Sequence, residues 1–247
     1  MSYSLKHRFQ RTLYRLFTAA CRLRYFGTSR YCPLCRSRLR SFLPFGTPAR
    51  AQARCPVCWS LERHRLLWLW FERFTPLLDG RPRRLLHFAP EICLASRLRR
   101  QSGIDYLSVD LSPGAAMLQM DITALDLPDE SFDVVLCSHV LEHIPDDAAA
   151  MREMRRVTRP SGFAVLMVPL QYSAVTLEDP SVTDPAERKR LFGQEDHLRY
   201  YELSDFMRRL TAAGWAVRHF STEQVASPGE RLRMSLKPRD IFLCTRN

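Results

Sequence analysis

Residues 132 to 157 read Phe132-Asp-Val-Val-Leu-Cys-Ser-His-Val-Leu-Glu-His-Ile-Pro-Asp-Asp-Ala-Ala-Ala-Met-Arg-Glu-Met-Arg-Arg-Val157. A short, almost unbroken apolar run, Phe132 to His139, gives way to helical periodicity over Asp147 to Val157. The turn Arg159-Pro160-Ser161-Gly162 and a second apolar run, Phe163 to Pro169, follow. Upstream the alternation repeats, with strands expected near Arg84 to Ala89, Tyr106 to Asp110 and Leu118 to Ile122, and a helix near Ile92 to Gln101. Apolar strands separated by helices imply a parallel sheet covered on both faces, so the class is α/β. A helix near Asp205 to Ala213, capped by Ser204 and stopped by Gly214, and strands near Trp215 to Phe220 and Ile241 to Thr245 complete a domain spanning residues 81 to 247.

Residues 31 to 60 follow different rules. Cys32-Pro-Leu-Cys35 and Cys55-Pro-Val-Cys58 are two CxxC knuckles separated by nineteen residues. Each knuckle offers two thiolates from one tight turn, and together they complete a tetrahedron around a structural zinc with no open position. Between ribbon and domain, residues 61 to 80 predict a linking helix, started by Ser60 and ended at Thr75-Pro76. Trp68, Leu69, Trp70 and Phe71 make it apolar nearly all round, which requires burial between two bodies.

Residues 1 to 30 predict a basic amphipathic helix over 4 to 26, with Leu5, Phe9, Leu13, Leu16, Ala20 and Leu23 on one stripe. Two readings stand: attachment to an anionic membrane surface or RNA, or packing of the stripe on its own protein. The chain of 247 residues carries a net charge of +11, and no Asp or Glu precedes Glu62, so the positive excess belongs to this end. The longest apolar run, Leu66 to Phe71, is far too short to span a bilayer, and arginines interrupt any signal-type apolar core near the start. The expectation is a cytoplasmic protein, peripheral at the membrane if the basic helix attaches there.

Leu86-His87-Phe88-Ala89-Pro90-Glu91 and Ser138-His139-Val140-Leu141-Glu142-His143-Ile144-Pro145-Asp146-Asp147, continued by Phe192-Gly193-Gln194-Glu195-Asp196-His197, resemble a bacterial subfamily of class I methyltransferases. The resemblance covers about residues 84 to 215 and implies a Rossmann-like sheet that binds S-adenosylmethionine through Ala89, Glu91, Asp110, Asp121, Ile122 and His139. Asp110 and Asp121 close two expected strands, where ligands of open α/β sheets lie. In the family the first accepts from ribose hydroxyls and the second sits beside the adenine amine. The usual glycine-rich first turn is replaced here by Ala89, Pro90 and Glu91, which removes easy left-handed conformations. Glu91 is expected either at the amino group of the cofactor or as a first-turn acid complementing the helix dipole.

His139, Glu142 and His143 share a helical face if a helix starts there, and His197 is a further candidate. His-x-x-Glu-His is similar to a motif of small-RNA 2′-hydroxyl and ubiquinone-pathway O-methyltransferases that contributes to a divalent-metal site. It is open to three readings: a second, active-site divalent metal, a simple His or Glu base, or a structural brace. The same letters match a metalloprotease motif, which the strand-to-helix context rejects. Residues 171 to 202 are expected to cap the substrate, with Asp184-Pro185-Ala186-Glu187 starting a short helix that Gly193 ends. Relatives usually carry Gly where Glu202 stands. The functional expectation is O-methylation of a sugar, glycan or glycolipid-type acceptor. The alternatives are an RNA methyltransferase that grips phosphates with ribbon and arm, or a non-catalytic binding protein on this fold.

Overall fold

The structure is a computed structural model and describes residues 16–171 and 175–246. The described residues form two compact units, one up to Thr75 together with Thr222–Pro238, the other Pro76–Ser221 together with the chain from Arg239.

The first unit begins with helix α1, described over residues 16–24. The earlier part of the expected basic helix, residues 4–15, lies outside the described residues. Strands β1 (Arg30–Cys32) and β2 (Ser37–Leu39) form one antiparallel hairpin, and β3 (Leu43–Phe45) and β4 (Arg50–Arg54) another. The first knuckle is the β1–β2 turn and the second follows β4. Arg36 and Trp59, each directly after the second cysteine of its knuckle, are left-handed at φ 54° and 62°. That conformation tightens both turns so that the paired thiols face inward.

Helix α2 (Glu62–Phe74) starts after Leu61 and not at Ser60. The Ser60 hydroxyl is drawn instead to the thiols, 3.3 Å from Cys32 Sγ and 3.2 Å from Cys58 Sγ. Leu66 to Phe71 are all buried, as an all-round apolar helix demands. Part of its cover comes from the helix Thr222–Val225, and Arg73 donates to Val225 O at 2.7 Å and pairs with Glu230 of the helix Pro228–Met234. Residues 222–238, expected within the domain from 81 onwards, thus belong to the first unit. Arg65 ties them to the ribbon: its fully buried guanidinium donates to Ala53 O, Ser60 O, Met234 O and Ser235 O and lies 4.0 Å over the Phe42 ring.

The second unit runs β5 (Arg83–Phe88), α3 (Ile92–Leu98), β6 (Ile104–Asp110), β7 (Leu118–Gln119), β8 (Phe132–Ser138), α4 (Asp147–Val157), β9 (Thr158–Met167), β10 (Leu170–Gln171), β11 (Leu177–Glu178), α5 (Pro185–Phe192), β12 (Arg199–Glu202), α6 (Leu203–Ala212), β13 (Trp215–Ser221) and β14 (Asp240–Arg246). Seven strands make one sheet in the order β13-β14-β9-β8-β5-β6-β7, parallel from β9 to β7, with β14 antiparallel to both neighbours. A small sheet, β10-β12-β11, belongs to the cap. Val135, Cys137, Met151, Met154, Leu166, Phe206 and Trp215 are buried in one core cluster.

Four local expectations shift. β7 ends at Gln119, so Asp121 and Ile122 stand in the turn beyond it. α3 stops at Leu98. Arg159 to Gly162 bulge out within β9, between the pairs Phe132–Thr158 and Val134–Phe163, and a Cβ on Gly162 would meet Asp133 O at 2.7 Å. α6 is capped by Glu202, whose carboxylate accepts from Asp205 N, and not by Ser204. The carboxylate is the stronger acceptor for an orphan helix N–H. Among the described residues no helix is long and apolar enough to cross a membrane.

Candidate functional site

Parallel strands point their carboxyl ends the same way, so the loops after β5, β6, β7 and β8 meet on one edge of the sheet. A cavity of about 530 Å³ opens there, lined by Phe88, Ala89, Val109, Asp110, Leu111, Ser112, Met120, Asp121, Ile122, His139, Val140, His143, Ile144 and Asp196. The volume falls in the range of small-molecule and cofactor sites. Ala89 and His139, the residues directly after the neighbouring strands β5 and β8, are left-handed at φ 44° and 57°. Main-chain bonds hold both, Ala89 N to Val109 O at 2.9 Å and His139 N to Met167 O at 2.8 Å. The first turn therefore keeps a left-handed residue without a glycine, at a backbone cost of about 1 kcal/mol.

Asp110 closes β6 and lines the cavity, and its Oδ1 accepts from Ser112 N at 2.7 Å. A carboxylate has further lone pairs for ligand hydroxyls. Asp121 accepts from Thr123 N and Oγ1, and these bonds lower its pKa, so it stays ionised and acts only as an acceptor. Ile122, beside it, is buried against the same cavity. Five of the six expected cofactor residues thus line one space.

Glu91 is the sixth, and its carboxylate is held elsewhere. Ser138 Oγ donates to Oε1 at 3.0 Å, and His87 Nε2 lies 3.1 Å from Oε2. Because an ionised carboxylate can only accept, His87 carries its proton on Nε2 and takes the Tyr106 hydroxyl on Nδ1, at 2.9 Å. Glu91 is the N-cap residue of α3 without a side-chain capping bond. Its carboxylate locks the first turn from beneath.

The expected helix at 139–143 is instead a 3₁₀ turn, Leu141–His143. The chain is too tightly wound to stack three side chains, yet His139 and Glu142 still meet, with Nδ1 3.2 Å from Oε1. With the Glu142 carboxylate oxygen as acceptor, His139 donates from Nδ1 and keeps a lone pair on Nε2, a buried atom without a partner among the described residues. His143 turns towards the cap, its Nδ1 3.2 Å from Asp196 O, and its ring packs edge-on to His197 at 4.7 Å. His197, buried after α5, donates from Nδ1 to Phe192 O at 2.8 Å, which leaves a lone pair on Nε2. Burial pushes its pKa down and keeps the ring neutral. Glu142 Oε2 and His197 Nε2 are both buried acceptors without a donor among the described residues, and ligand atoms of Glu142, His143 and His197 lie within 4.8 Å of one another. Lone pairs facing one small space suit a shared proton or a cation.

Arg199, within the cap segment, is a clamp that sequence reasoning did not single out. Nearly fully buried, it donates to Leu141 O, Ile144 O and Pro145 O and pairs with Glu178, so it fixes the turn that carries Glu142 and His143. Tyr201 O–H and Arg209 extend the network to Asp147. The carbonyls that Arg199 holds are more than fifty residues from it in the chain, so no local pattern could signal them.

In the first unit Cys32, Cys35, Cys55 and Cys58 offer four Sγ atoms within 4.8 Å of one another. Cys32 to Cys58 is 3.6 Å and Cys35 to Cys55 3.8 Å, spacings that suit four thiolates around one tetrahedral cation. Burial, together with hydrogen bonding among the neighbouring thiols, pushes the Cys32 thiol up. The buried Arg65 charge, without a carboxylate in hydrogen-bond contact among the described residues, has the thiols among its nearest anionic neighbours.

Residues 92–166 match the family described as methyltransferase domain. An uncharacterized methyltransferase of Mycobacterium sp. (strain KMS) is 39% identical over 111 residues, 40% of this chain and 42% of the relative. The match spans less than half of that relative. Among solved structures, a 1,6-didemethyltoxoflavin-N1-methyltransferase of Burkholderia thailandensis, with its substrate and S-adenosylhomocysteine bound, is similar at 15% identity and TM-score 0.51, over 75% of this chain and 78% of that one. The [4+2]-cyclase SpnF is similar at 14% identity and TM-score 0.52, over 76% and 83%. These likenesses show the methyltransferase fold.

Proposed function

We propose that this chain, whose residues 92–166 match the methyltransferase domain family, is an S-adenosylmethionine-dependent methyltransferase acting on a hydroxyl of a sugar, glycan or glycolipid-type acceptor. One observation carries the reading: Asp110 and Asp121 share a cavity with His139, whose ring is paired with buried Glu142. S-adenosylmethionine, when bound, supplies an electrophilic methyl group. The rest falls to the chain. Asp110 would accept from ribose hydroxyls and the ionised Asp121 from an exocyclic amine, while Ile122 and Phe88 would supply apolar wall. A hydroxyl is a weak nucleophile at neutral pH and must lose its proton as it attacks. His139 Nε2 has the free lone pair for that proton, and buried Glu142 on Nδ1 fixes the tautomer and stabilises the imidazolium that forms. Arg199 holds the turn in place.

The orphan acceptors favour a second reading of the same site, in which Glu142, His143 and His197 hold a divalent cation that would lower the pKa of the acceptor hydroxyl. The four cysteines fit a structural zinc, which would have no chemical role because every position is taken by protein.

Calorimetry of the zinc-loaded chain with S-adenosylmethionine is expected to show saturable binding. Asp110→Ala should weaken it about ten- to a hundredfold, the loss of a charge-assisted hydrogen bond or two. A chain that binds no cofactor would overturn the enzyme reading and leave a binding protein on this fold, as the cyclase neighbour illustrates that the fold serves other chemistry. Turnover unaffected by Mg²⁺ or Mn²⁺, in wild type and in His143→Ala and His197→Ala alike, would end the metal reading.

A further inference from the structure

We propose that α1 docks the protein on an anionic lipid bilayer. The two faces of this helix differ. Thr18, Cys21 and Tyr25, spaced three and four apart, are half-buried, and Arg22 on the same side donates to Cys35 O at 3.2 Å. The Tyr25 ring lies between the guanidiniums of Arg24 and Arg40, and Arg40 N donates to Tyr25 O at 2.8 Å. This side is anchored to the ribbon. Leu16, Ala20 and Leu23, also three and four apart, form the opposite side. Leu16 is 62% and Leu23 83% exposed, and Phe26 just beyond is 65% exposed. The apolar stripe, over its described length, is therefore not packed on the chain itself.

Charge selects the occupant. Arg22 and Arg24 flank Leu23 in the chain, Arg36, Arg38 and Arg40 are exposed in and beside the β1–β2 hairpin to which the helix is anchored, and no acidic residue precedes Glu62. Aliphatic side chains flanked by arginines suit the boundary between acyl chains and phosphate headgroups, where leucines enter the apolar layer and guanidiniums stay at the phosphates. Nucleic acid would be held by the arginines alone and gives the exposed Leu16 and Leu23 no role, whereas a bilayer takes up both leucines and arginines. Trp59, half exposed and edge-on to Phe17 at 6.4 Å, adds an amphipathic ring of the kind that settles at an interface.

The test is co-sedimentation of the full zinc-loaded chain with vesicles of phosphatidylcholine alone and of phosphatidylcholine mixed with phosphatidylglycerol. Binding is expected to the mixed vesicles only and to fall with salt. Leu16→Ser with Leu23→Ser, which leaves charge unchanged, should weaken it by about tenfold or more. Arg36→Gln with Arg38→Gln should weaken it several-fold per charge, roughly. All four side chains are exposed, so thermal unfolding should be unchanged, and Leu23→Ser alone serves if the double variant is unstable. Wild-type binding by the leucine variants would overturn the proposal. So would a wild-type chain that ignores mixed vesicles, whether it shifts a labelled RNA or forms a dimer that the same leucines control.

Discussion

Four sulfurs from two turns meet in the first unit; in the second, a carboxylate and two imidazoles meet from a strand-end turn and a cap segment more than fifty residues downstream. The thiols close on themselves, with Ser60 and Ser37 hydroxyls at their rim. The second group lies by an open cavity, and two of its buried lone pairs have no donor among the described residues. A closed donor set suits structure, and an open one suits chemistry. Removing what each holds should therefore have different results.

The largest effect is expected in the first unit. Stripping metal with a chelator, or Cys55→Ser, should unfold the ribbon, since such sites contribute about 10 kcal/mol or more of coupled folding energy. Limited proteolysis should then cut first between residues 27 and 61. Protection there unchanged by chelation would mean that the thiols need no ion, and the contrast between the two clusters would collapse.

The second cluster should show itself through protons. Buried His197 has its pKa held below the ordinary value of about 6.5, so folding favours its neutral form. The stability this gives is present above the unfolded pKa and is lost as pH falls towards the folded one. Protection factors over residues 192–198, taken relative to the intrinsic exchange rate at each pH, should fall as pH drops from about 7 to about 5. His197→Gln should flatten that dependence. An unchanged profile in the variant would assign the acid sensitivity to other groups.

How much the sequence disclosed follows the same division. The four-cysteine cluster was legible because CxxC spacing is a local fact, and β5, β6, β8 and α4 because periodicity is local too. Asp110, Asp121, His139 and His197 could be named from position, but what each touches could not. Glu91 shows why: whether it meets a ligand or faces inward depends on Ser138 and His87, which come from the neighbouring strand and its own. Residues 222–238 joined the first unit through main-chain carbonyls that Arg65 reads, and main-chain carbonyls leave no trace in residue identity. Arg199 was hidden for the same reason.

The smallest effect probes the glycine-poor first turn. Ala89 is left-handed, which costs an L-residue about 1 kcal/mol, so Ala89→Gly relieves strain in the folded state while giving the unfolded chain about 0.4–1 kcal/mol more entropy to lose. The two nearly cancel, and the melting temperature should hold or rise slightly. Ala148→Gly, in the exposed first turn of α4, has no strain to relieve and should destabilise by about 0.5–1 kcal/mol. Equal losses at both positions would mean that the turn depends on the Ala89 methyl itself. Glu91, Ser138 and His87 would then be holding a side-chain contact and not a backbone shape.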